Sequence, residues 1–534
     1  MSTQPPQNQV SPEATGGAGT IEEYTLGAVA LARLLTGDLL PGLTAPLATV
    51  ALQRRVAGNT LDDLVLRSDT GTAENGIDFQ IKRTASPVAS NDAFVDALGQ
   101  CIDTLRQERE ALASGRLRLG FGASGPRGPL EQLQRLTEIA RAHATGATFR
   151  GVLVVGATAG EVRTRYEHFR VAVAGAIKVR GETLTDDQLD ELTYELLKYL
   201  HVWIFEVGDN GRDVLEAQSR LIPILPPRGP KAHVVFSELR TLAEAWGPNA
   251  GVIDAPMLRA ALNARGIPLT ADPRHRIELG RVLDASRQEL ARTVDQMGGR
   301  LRLERATPAR ELGKAIQRGG IVLVSGTAGV GKSVLSRRAV QDLDDSATVV
   351  AISLSTRSGD TLATVQQELG VSLLKTVLGA APTSGPRVLL IDGAEHALTD
   401  AGRLLESLLD AAPTAGTGSP PWTVVITSRA DAAGPLTVRL GDRLKTHILL
   451  DELSDPEVDE VNAAFPSLAP LLRHPRSKRL LRRPYLVDLL VRSQVAPGEG
   501  EVLGEENVCS APGLMETSKP GRNTSDAGTE EVQR

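Results

Sequence analysis

The sequence predicts an α/β protein whose C-terminal half is built on a parallel sheet. Three runs of β-branched and aliphatic residues, IVLVSG (321–326), RVLLID (387–392) and WTVVITSR (422–429), have the near-continuous apolar character of strands that are covered on both faces. The first run ends in a glycine, the second in an aspartate and the third in an arginine. Each predicted strand therefore delivers one kind of polar or flexible group to the same edge of the sheet.

The first strand leads into the pattern G-x-x-x-x-G-K-S, which ends at Ser333. A glycine-rich turn between a buried strand and a helix wraps backbone N–H groups around phosphates. Lys332 is expected to reach the β- and γ-phosphates of a nucleotide, and the Ser333 hydroxyl is expected to hold Mg²⁺. The predicted nucleotide-binding loop consists of Gly326, Thr327, Ala328, Gly329, Val330, Gly331, Lys332 and Ser333.

The second and third strands place further groups beside this loop. Asp392 ends the second strand, where a carboxylate can hold Mg²⁺ through water, and Glu395 follows one short turn later, where it can orient an attacking water. Arg429 ends the third strand and is expected to sense the γ-phosphate. The predicted ligands are therefore ATP and Mg²⁺, with Ser333 and Asp392 at the metal and Glu395 in catalysis.

In this order the three strands resemble the STAND class of signal-transduction ATPases, particularly its NACHT and AP-ATPase-like members. The segment RRPYLVDLL (482–490) is similar to the proline-containing segment with which that family's helical subdomain packs near the adenine, and Pro484 is the matching position. The resemblance covers residues 301–495. Glu395 is followed here by His396, whereas NACHT proteins often carry two acids in succession. The resemblance therefore supports nucleotide binding more strongly than hydrolysis.

Composition narrows the class of protein. The chain has 534 residues, which is enough for two or three domains that each bury a core. Its net charge of −6 gives no global basic signature for nucleic acid, so any DNA contact must be local. Two cysteines, Cys101 and Cys509, allow neither a disulfide framework nor a cysteine-based zinc site, and a reducing cytoplasm is the predicted compartment. No apolar run approaches the roughly 18 residues of a membrane span.

The N-terminal half carries a second group of polar residues. An amphipathic helix is predicted over 21–36, and two strands, 61–67 and 77–83, flank a polar turn that contains glycine. A helix of about twenty residues follows the second strand. Within that strand, polar side chains alternate with apolar ones and share one face: Asp78, Gln80 and Lys82.

This order of helix, acid-bearing hairpin, Gln-x-Lys and helix resembles the core of the restriction-endonuclease-like PD-(D/E)xK fold in its Gln-x-Lys variant. Phosphodiester cleavage needs a divalent metal ion held by oxygen ligands. It also needs a positively charged side chain that stabilises the negative charge on the phosphorane. The resemblance implies that Asp63, with Asp62 as its alternate, and Gln80 hold the metal. It implies Lys82 as the catalytic cation.

Two further observations bear on this second site. Glu22 or Glu23 on the first helix can add a carboxylate, and the resemblance covers residues 20–230. An acid on one strand and Gln-x-Lys on the next also meet by chance on half-exposed hairpins. The nuclease hypothesis gains support because bacterial STAND proteins often carry an N-terminal effector of this class, which is an analogy at the level of the fold.

The remaining segments are predicted to be scaffold. Strands are expected at 151–156 and 201–206, with His201 as a packed residue rather than a ligand. The proline-rich segment 221–231 is interpreted as a linker, and 232–300 as helical. A basic run is interpreted as a solvated or nucleotide-facing helical surface: Arg473, Arg476, Lys478, Arg479, Arg482, Arg483 and Arg492.

These expectations divide the chain into six segments. They are a disordered tail (1–19), a nuclease-like αβ domain (20–230), a helical connector (231–300), a P-loop NTPase domain (301–440), a short helical subdomain (441–495) and a second disordered tail (496–534). No internal repeat that could act as a sensor is found, so we expect either a separate sensor protein or a shortened form of a longer protein.

The predicted function is a cytoplasmic ATP-dependent switch that controls a metal-dependent DNA endonuclease in defence against phage or foreign DNA. Double-stranded DNA is the expected substrate, a homo-oligomer the expected active form, and a sensor protein or phage-derived trigger the expected activator, with no membrane partner. Two alternatives stay open. One is a regulator whose N-terminal domain only binds DNA or nucleotide. The other is an AAA-type remodelling ATPase, although no second-region arginine pattern and no pore-loop aromatic is found.

Overall fold

A computed structural model describes most of the chain in two compact units. The first unit extends to Ile277 and includes Gly379–Ser384, and the second unit contains the other described residues. The described residues are 17–40, 42–53, 60–69, 74–83, 85–154, 160–208, 210–249, 251–355, 357, 361–398, 402–412 and 421–493. The predicted disordered tails lie outside them, except that the first helix already begins at Gly17.

The first unit combines helices with one mixed sheet. Its helices are α1 (Gly17–Thr36), α2 (Asp92–Gln107), α3 (Arg109–Ala113), α4 (Arg127–Arg141), α5 (Gly146–Val154), α6 (Gly160–Val179), α7 (Asp186–Tyr199), α8 (Arg212–Leu221), α9 (Ala232–Trp246) and α10 (Ala255–Ala264). Its strands are β1 (Leu47–Leu52), β2 (Leu64–Asp69), β3 (Glu74–Lys82), β4 (Leu117–Ala123), β5 (Leu200–Ile204) and β6 (Val252–Asp254).

The six strands are ordered β5-β4-β3-β2-β1-β6. Strands β1, β2 and β3 pair in antiparallel fashion, whereas β4 is parallel to β3 and β5 is parallel to β4. Phe79 on β3 lies beside Gly120 on β4, so Phe79 and Phe121 point to opposite faces of the sheet. Phe79 belongs to a core built with α1, and Phe121 to a second core that contains Phe94 of α2. The sheet is thus covered on both faces.

Polar capping residues set the N-terminal ends of two helices of the first unit, α2 and α7. Asn91 caps α2, because its side-chain oxygen accepts a hydrogen bond from the Phe94 N–H at 2.9 Å. Thr185 and Gln188 form a capping box at the start of α7. These helices begin where the polar capping residues stand.

Three expectations for the first unit need correction. The segment 151–156 was expected to be a strand, but Gly146–Val154 is helix α5, because a short apolar run does not distinguish a strand from a buried helical turn. The proline-rich segment 221–231 is not a free linker, since Leu221 and Ile224 are buried in the core. The helical connector was expected to begin at residue 231. Strand β6 follows that residue and pairs with β1, so this part of the chain still belongs to the first unit.

The second unit contains a parallel sheet and a helical part. Its helices are α11 (Arg276–Arg292), which begins at the end of the first unit, α12 (Ala306–Arg318), α13 (Lys332–Gln341), α14 (Leu362–Leu369), α15 (Leu374–Gly379), α16 (Gly402–Ala411), α17 (Ala430–Leu440), α18 (Asp455–Ala464), α19 (Ala469–Arg473), α20 (Pro475–Leu480) and α21 (Pro484–Ser493). Its strands are β7 (Ile321–Gly326), β8 (Thr348–Ser353), β9 (Arg387–Asp392), β10 (Thr423–Arg429) and β11 (Leu444–Leu449).

The five strands of the second unit are parallel and are ordered β11-β7-β10-β9-β8. Strand β10 lies between β7 and β9, so the ends of these three strands stand side by side. The side chains of β7, β9 and β10 are almost all buried, as their apolar runs predict. The expectation of an α/β fold with a parallel P-loop sheet is confirmed.

The helical subdomain begins later than the expected residue 441. Leu444–Leu449 is strand β11, whose side chains alternate in burial because it lies at the edge of the sheet. The helices that follow pack around their own core, which contains Leu453, Val461, Phe465 and Val487. Within the described part of the chain, no helix is long and apolar enough to cross a membrane.

Candidate nucleotide site and candidate metal site

The loop between β7 and α13 has the backbone that a phosphate-binding turn needs. Gly329 and Gly331 have φ angles of +79° and +95°, a region that side chains with a β-carbon rarely adopt. Gly331 is the N-cap of α13, so the free N–H groups at the start of this helix open onto the loop. A β-carbon on Gly326 would lie 2.4 Å from the carbonyl oxygen of Leu450, which explains the glycine there.

Lys332 lies across this loop. Its ammonium Nζ donates hydrogen bonds to the carbonyl oxygens of Gly326 at 3.1 Å and Thr327 at 3.0 Å. Burial lowers the pKa of Lys332, while the carboxylates of Glu395 and Asp392 raise it in part. The loop therefore holds a half-buried cation that has no direct carboxylate partner among the described ion pairs. A phosphate group is the kind of ligand that would satisfy it.

Asp392 joins the loop to the two neighbouring strands. Its Oδ1 accepts hydrogen bonds from the Ser333 hydroxyl at 2.8 Å and the Thr427 hydroxyl at 2.5 Å. Thr427 Oγ1 in turn accepts a hydrogen bond from the Gly393 N–H at 3.0 Å. A hydroxyl and a carboxylate that meet in this way are hard oxygen donors, and they fit Mg²⁺. Sequence reasoning noted Thr427 at the end of a strand and gave it no role.

Glu395 and Arg429 are also brought together. The backbone N–H of Arg429 donates to Glu395 Oε2 at 3.2 Å, which fixes the carboxylate beside the end of β10. The Arg429 guanidinium pairs with Asp431 at 2.9 Å, and its side chain is half-exposed. Glu395 is therefore fixed beside the end of β10, whereas the guanidinium of Arg429 is paired on the surface.

A cavity of about 390 Å³ adjoins the loop and has mostly apolar walls. Pro484 and Tyr485 at the start of α21 form one wall, and the backbone N–H of Tyr485 donates to the carbonyl oxygen of Gly329 at 3.1 Å. The cavity has the size and the mixture of apolar surface and few polar groups that suits a nucleoside. Tyr485 was not among the predicted site residues.

The opposite wall is formed by the segment 294–305, which the sequence analysis did not single out. Arg338 of α13 holds this segment by donating to the carbonyl oxygens of Asp295 at 2.8 Å and Leu303 at 2.5 Å. The Gly298 N–H donates to Asp488 Oδ1 of α21 at 2.8 Å. These bonds join residues that are distant in sequence, so no local pattern could have indicated them.

The candidate metal site of the first unit centres on Asp63, which precedes β2 and is 6% exposed. Its Oδ2 accepts hydrogen bonds from Gln80 Nε2 at 2.5 Å and from the backbone N–H of Ile81 at 2.6 Å. Burial raises the pKa of Asp63 to about 8, and the nearby charge of Glu23 raises it further. The ammonium of Lys82 opposes this shift, so Glu23 and Lys82 are both near enough to act on Asp63.

The amide oxygen of Gln80 has no hydrogen-bond partner among the described residues. Gln80 is 2% exposed, and its Oε1 is buried without a hydrogen-bond partner, although buried acceptors are almost always satisfied. A divalent cation between Gln80 Oε1 and the free oxygen of Asp63 would satisfy both, so these residues fit a metal. Over the described residues, no group of three or more His, Cys, Asp or Glu side chains that could hold a metal occurs.

The other polar residues near this site have structural partners. Asp78 shares a face with Gln80, but it is buried against Arg67 in an ion pair. Glu22 pairs with Arg83 at 3.0 Å. Among the two glutamates proposed from the sequence, Glu23 is the one whose charge reaches Asp63.

Comparisons with known proteins agree with the nucleotide half of this description. Residues 315–431, which include the loop, Asp392 and Arg429, match the AAA domain family. No curated protein sequence matches the chain. Among solved structures, "The walker-type atpase paby2304 of pyrococcus abyssi" is similar at 13% identity with a TM-score of 0.27, over 38% of this chain and 69% of that one. The second unit contains a P-loop NTPase domain.

Proposed function

We propose that this chain is an ATP-dependent switch of the STAND type whose first unit is a metal-dependent DNA endonuclease, acting in defence against phage or foreign DNA. The switch is supported by the phosphate loop, Asp392 and the cavity between 294–305 and α21. The nuclease rests on one observation, which is the unsatisfied oxygen of Gln80 beside the buried carboxyl group of Asp63.

The topology of the first unit supports the same proposal. Helix α1, the β2–β3 hairpin and helix α2 follow one another in the order of helix, acid-bearing hairpin, Gln-x-Lys and helix on which the resemblance rests. Asp63 lies at the start of β2, and Gln80 lies near the end of β3, so antiparallel pairing brings them together. Folds host many functions, and the proposal therefore depends on the site more than on the topology.

For cleavage, Mg²⁺ when bound would act as a Lewis acid on the phosphodiester and lower the pKa of a water molecule. Asp63 would contribute a carboxylate oxygen, and Gln80 its amide oxygen. Lys82 would stabilise the negative charge of the phosphorane. Glu23 would add a negative charge beside the site, which compensates for the neutral amide.

For the switch, Lys332 would exchange its two carbonyl partners for the β- and γ-phosphates of ATP. Ser333 and Asp392 would hold Mg²⁺, and Glu395, fixed by the Arg429 N–H, would orient the attacking water. The bond between Tyr485 and Gly329 would carry a change in the loop to α21. Assembly of several chains, which would bring their first units together on double-stranded DNA, is implied by the family resemblance.

A remodelling ATPase is the second candidate, because residues 315–431 match the AAA domain family. That match covers the nucleotide-binding core, which all the hypotheses share. A remodelling ATPase would hydrolyse ATP without any metal-dependent cleavage of DNA, so one experiment separates the two candidates.

The test is cleavage of supercoiled plasmid DNA by the purified full chain with ATP and Mg²⁺. We expect nicked and linear products, and we expect Asp63→Asn and Lys82→Ala to lower the rate by about 100-fold or more. Asp62→Asn tests the alternate carboxylate, and we expect a smaller loss there, because the Gln80 amide donates to Asp63. ATP binding should stay within about twofold of the parent in all three variants.

Two results would contradict the nuclease. One is the absence of cleavage with ATP or a non-hydrolysable analogue in both Mg²⁺ and Mn²⁺. The other is cleavage that survives in Asp63→Asn. The first result, together with DNA binding, would favour a regulator that only binds DNA.

A further inference from the structure

A second cavity of the first unit, here called the β5 cavity, lies along strand β5 at the edge of the sheet. Its volume is about 760 Å³, within the range of roughly 300–1,000 Å³ that small-molecule sites occupy. It lies between helices α4 and α8, and none of Asp63, Gln80 and Lys82 lines it. The residues that matter for its chemistry are Arg127, Glu138, Arg141, His201, Trp203 and Arg220.

One end of the β5 cavity holds positive charge that no carboxylate pairs with. Arg141 donates to the carbonyl oxygen of Leu200 at 2.7 Å and forms no ion pair with any described residue. Arg118 on β4 stands behind it, with a buried Nη1 that has no hydrogen-bond partner in the described part of the chain. Both side chains are half-buried, and a bound anion would stabilise half-buried cations that have no counter-ion.

The basic groups at this end also act on one another. Burial lowers the pKa of Arg118 and, together with the charge of Arg118, that of Arg141, although Glu138 acts in the opposite direction. The pKa of His201 is lowered to about 3 by burial and then by the charges of Arg141 and Arg118. These shifts have the direction expected of cations that lack an anion.

The other end of the β5 cavity is electrically balanced. Arg127 pairs with Glu131 at 2.7 Å and with Glu206 at 2.8 Å. Arg220 pairs with Glu216 at 2.7 Å and Asp38 at 3.0 Å. A continuous basic track for a nucleic-acid strand is therefore absent along these described walls. The charge favours a ligand with one anionic group.

Trp203 gives the second feature of such a ligand. It lies two residues beyond His201 on the same face of β5, which places it about 6.6 Å further along the strand. Its ring meets Phe79 edge-on at a centroid distance of 5.6 Å, and no described residue accepts a hydrogen bond from its indole N–H. A planar ring one sugar away from a phosphate would reach Trp203.

We propose that the β5 cavity binds a nucleoside monophosphate, with its phosphate at Arg141 and His201 and its base beside Trp203. The carboxylates that line the cavity would accept hydrogen bonds from the sugar hydroxyls and the amino group of the base. This site is separate from the nuclease proposal and stands or falls without it.

Titration of the full chain with AMP tests the proposal. The measurements use Lys332→Ala as the background, so that the P-loop does not contribute to binding. We expect one site per chain by calorimetry, partial quenching of the summed fluorescence of the three tryptophans, and a shift of the His201 ring signals in the NMR spectrum. Inorganic phosphate should compete weakly, and adenosine should bind at least about tenfold more weakly than AMP, because a charge-assisted hydrogen bond is lost.

Arg141→Gln and Arg127→Gln are matched variants on the same helix, at opposite ends of the β5 cavity. We expect Arg141→Gln to weaken AMP binding at least about tenfold and Arg127→Gln by less than about twofold. Trp203→Leu should weaken AMP binding about fivefold or more and should remove the quenching that AMP causes. This second variant keeps the test decisive if Arg141→Gln unfolds. Thermal unfolding checks the folding of each variant.

Several outcomes would overturn the proposal. They are no AMP binding on the Lys332→Ala background, equal binding of adenosine and AMP, or equal losses in Arg141→Gln and Arg127→Gln. Tighter binding of a 5′-phosphorylated oligonucleotide than of AMP would assign the cavity to a DNA end instead.

Discussion

The nucleotide site of the second unit and the candidate metal site of the first unit are built from very different lengths of sequence. Eight consecutive residues form the phosphate loop, and their backbone is set locally by Gly329 and Gly331. The metal site depends on Asp63, Gln80 and Glu23, which meet only through strand register and helix packing. A local motif can therefore be recognised from sequence alone, whereas a dispersed site needs the fold.

The two sites also treat charge differently. Burial lowers the pKa of Lys332, the nearby carboxylates of Glu395 and Asp392 oppose this shift, and two backbone carbonyls accept hydrogen bonds from its ammonium group. Asp63 is buried so that its neutral form is favoured, and it lies beside an oxygen that has no partner. The nucleotide site therefore presents a positive charge to an anion even without a ligand. At the candidate metal site, the ionised form of Asp63 is favoured only when a cation is bound.

The largest expected effect is the loss of ATP binding in Lys332→Ala. Removal of the ammonium leaves phosphate charge that backbone amides alone do not neutralise, so affinity should fall by about 100-fold or more. Calorimetric titration measures this, with Lys314→Ala on the exposed side of α12 as the control. If Lys332→Ala bound ATP as tightly as the parent, the assignment of this loop as the phosphate-binding loop would be wrong.

Asp392→Asn should separate binding from turnover. An amide cannot hold Mg²⁺ as a carboxylate does, so ATPase turnover should fall by about 100-fold, while ATP affinity changes by less than about threefold. A steady-state ATPase assay with a parallel binding titration gives both quantities. Unchanged turnover would mean that another acid holds the metal.

Thr427→Val should have a smaller effect of the same kind, because Thr427 only positions Asp392. Loss of its hydroxyl removes one hydrogen bond to Oδ1 and leaves the Gly393 N–H unpaired, so turnover should fall about tenfold and the Mg²⁺ requirement should rise. Thr427→Ser should restore both.

The matched control is Thr423→Val, which removes a buried hydroxyl at the other end of β10. Equal effects of the two valine variants on the Mg²⁺ dependence would show that Thr427 is structural only.

A prediction of a different kind concerns the pH dependence of stability in the first unit. The pKa of Asp63 is raised from 3.8 to about 8, so the folded state binds a proton that the unfolded state releases between these values. The stabilisation is complete below about pH 4 and is lost as the pH rises towards 8, with a slope of at most about 1.4 kcal/mol per pH unit. Asp63→Asn should therefore gain stability relative to the parent from pH 5 to 8.

Denaturant unfolding in EDTA measures this difference, and Asp96→Asn, at an exposed carboxylate of α2, serves as the control. Added Mg²⁺ should reduce the gain, because a bound cation favours the charged carboxylate. Parallel stability curves for Asp63→Asn and the parent would show that Asp63 titrates normally and would remove the contrast between the two sites.

The sequence predicted much of the second unit because its signals are local. Strands β7, β9 and β10 fall within the three apolar runs, and the glycine pattern sets the loop between β7 and α13. The strand β11 was placed in the helical subdomain, because its alternating side chains carry meaning only beside β7. Segment 294–305 gave no signal, since its bonds to Arg338 and Asp488 are long-range.

In the first unit the sequence indicated the polar residues without their partners. The hairpin pattern named Asp63, Gln80 and Lys82, but Asp78 carries the same alternation and is an ion-pair partner of Arg67. The helix α5 was mistaken for a strand because apolar runs of that length suit both structures. Strand β6 lies far from β1 in the chain, so its pairing could not be anticipated.

The sequence by itself determined the phosphate loop and the two acids that follow it, because backbone conformation and strand periodicity act over a few residues. Tertiary structure alone decided which glutamate acts on Asp63, which oxygen of Gln80 lacks a partner, and which arginines along β5 have no counter-ion. Those properties depend on burial and on contacts between distant segments. The free energy of a charged or polar group depends on the groups that surround it in the folded chain. A short stretch of sequence does not specify those groups.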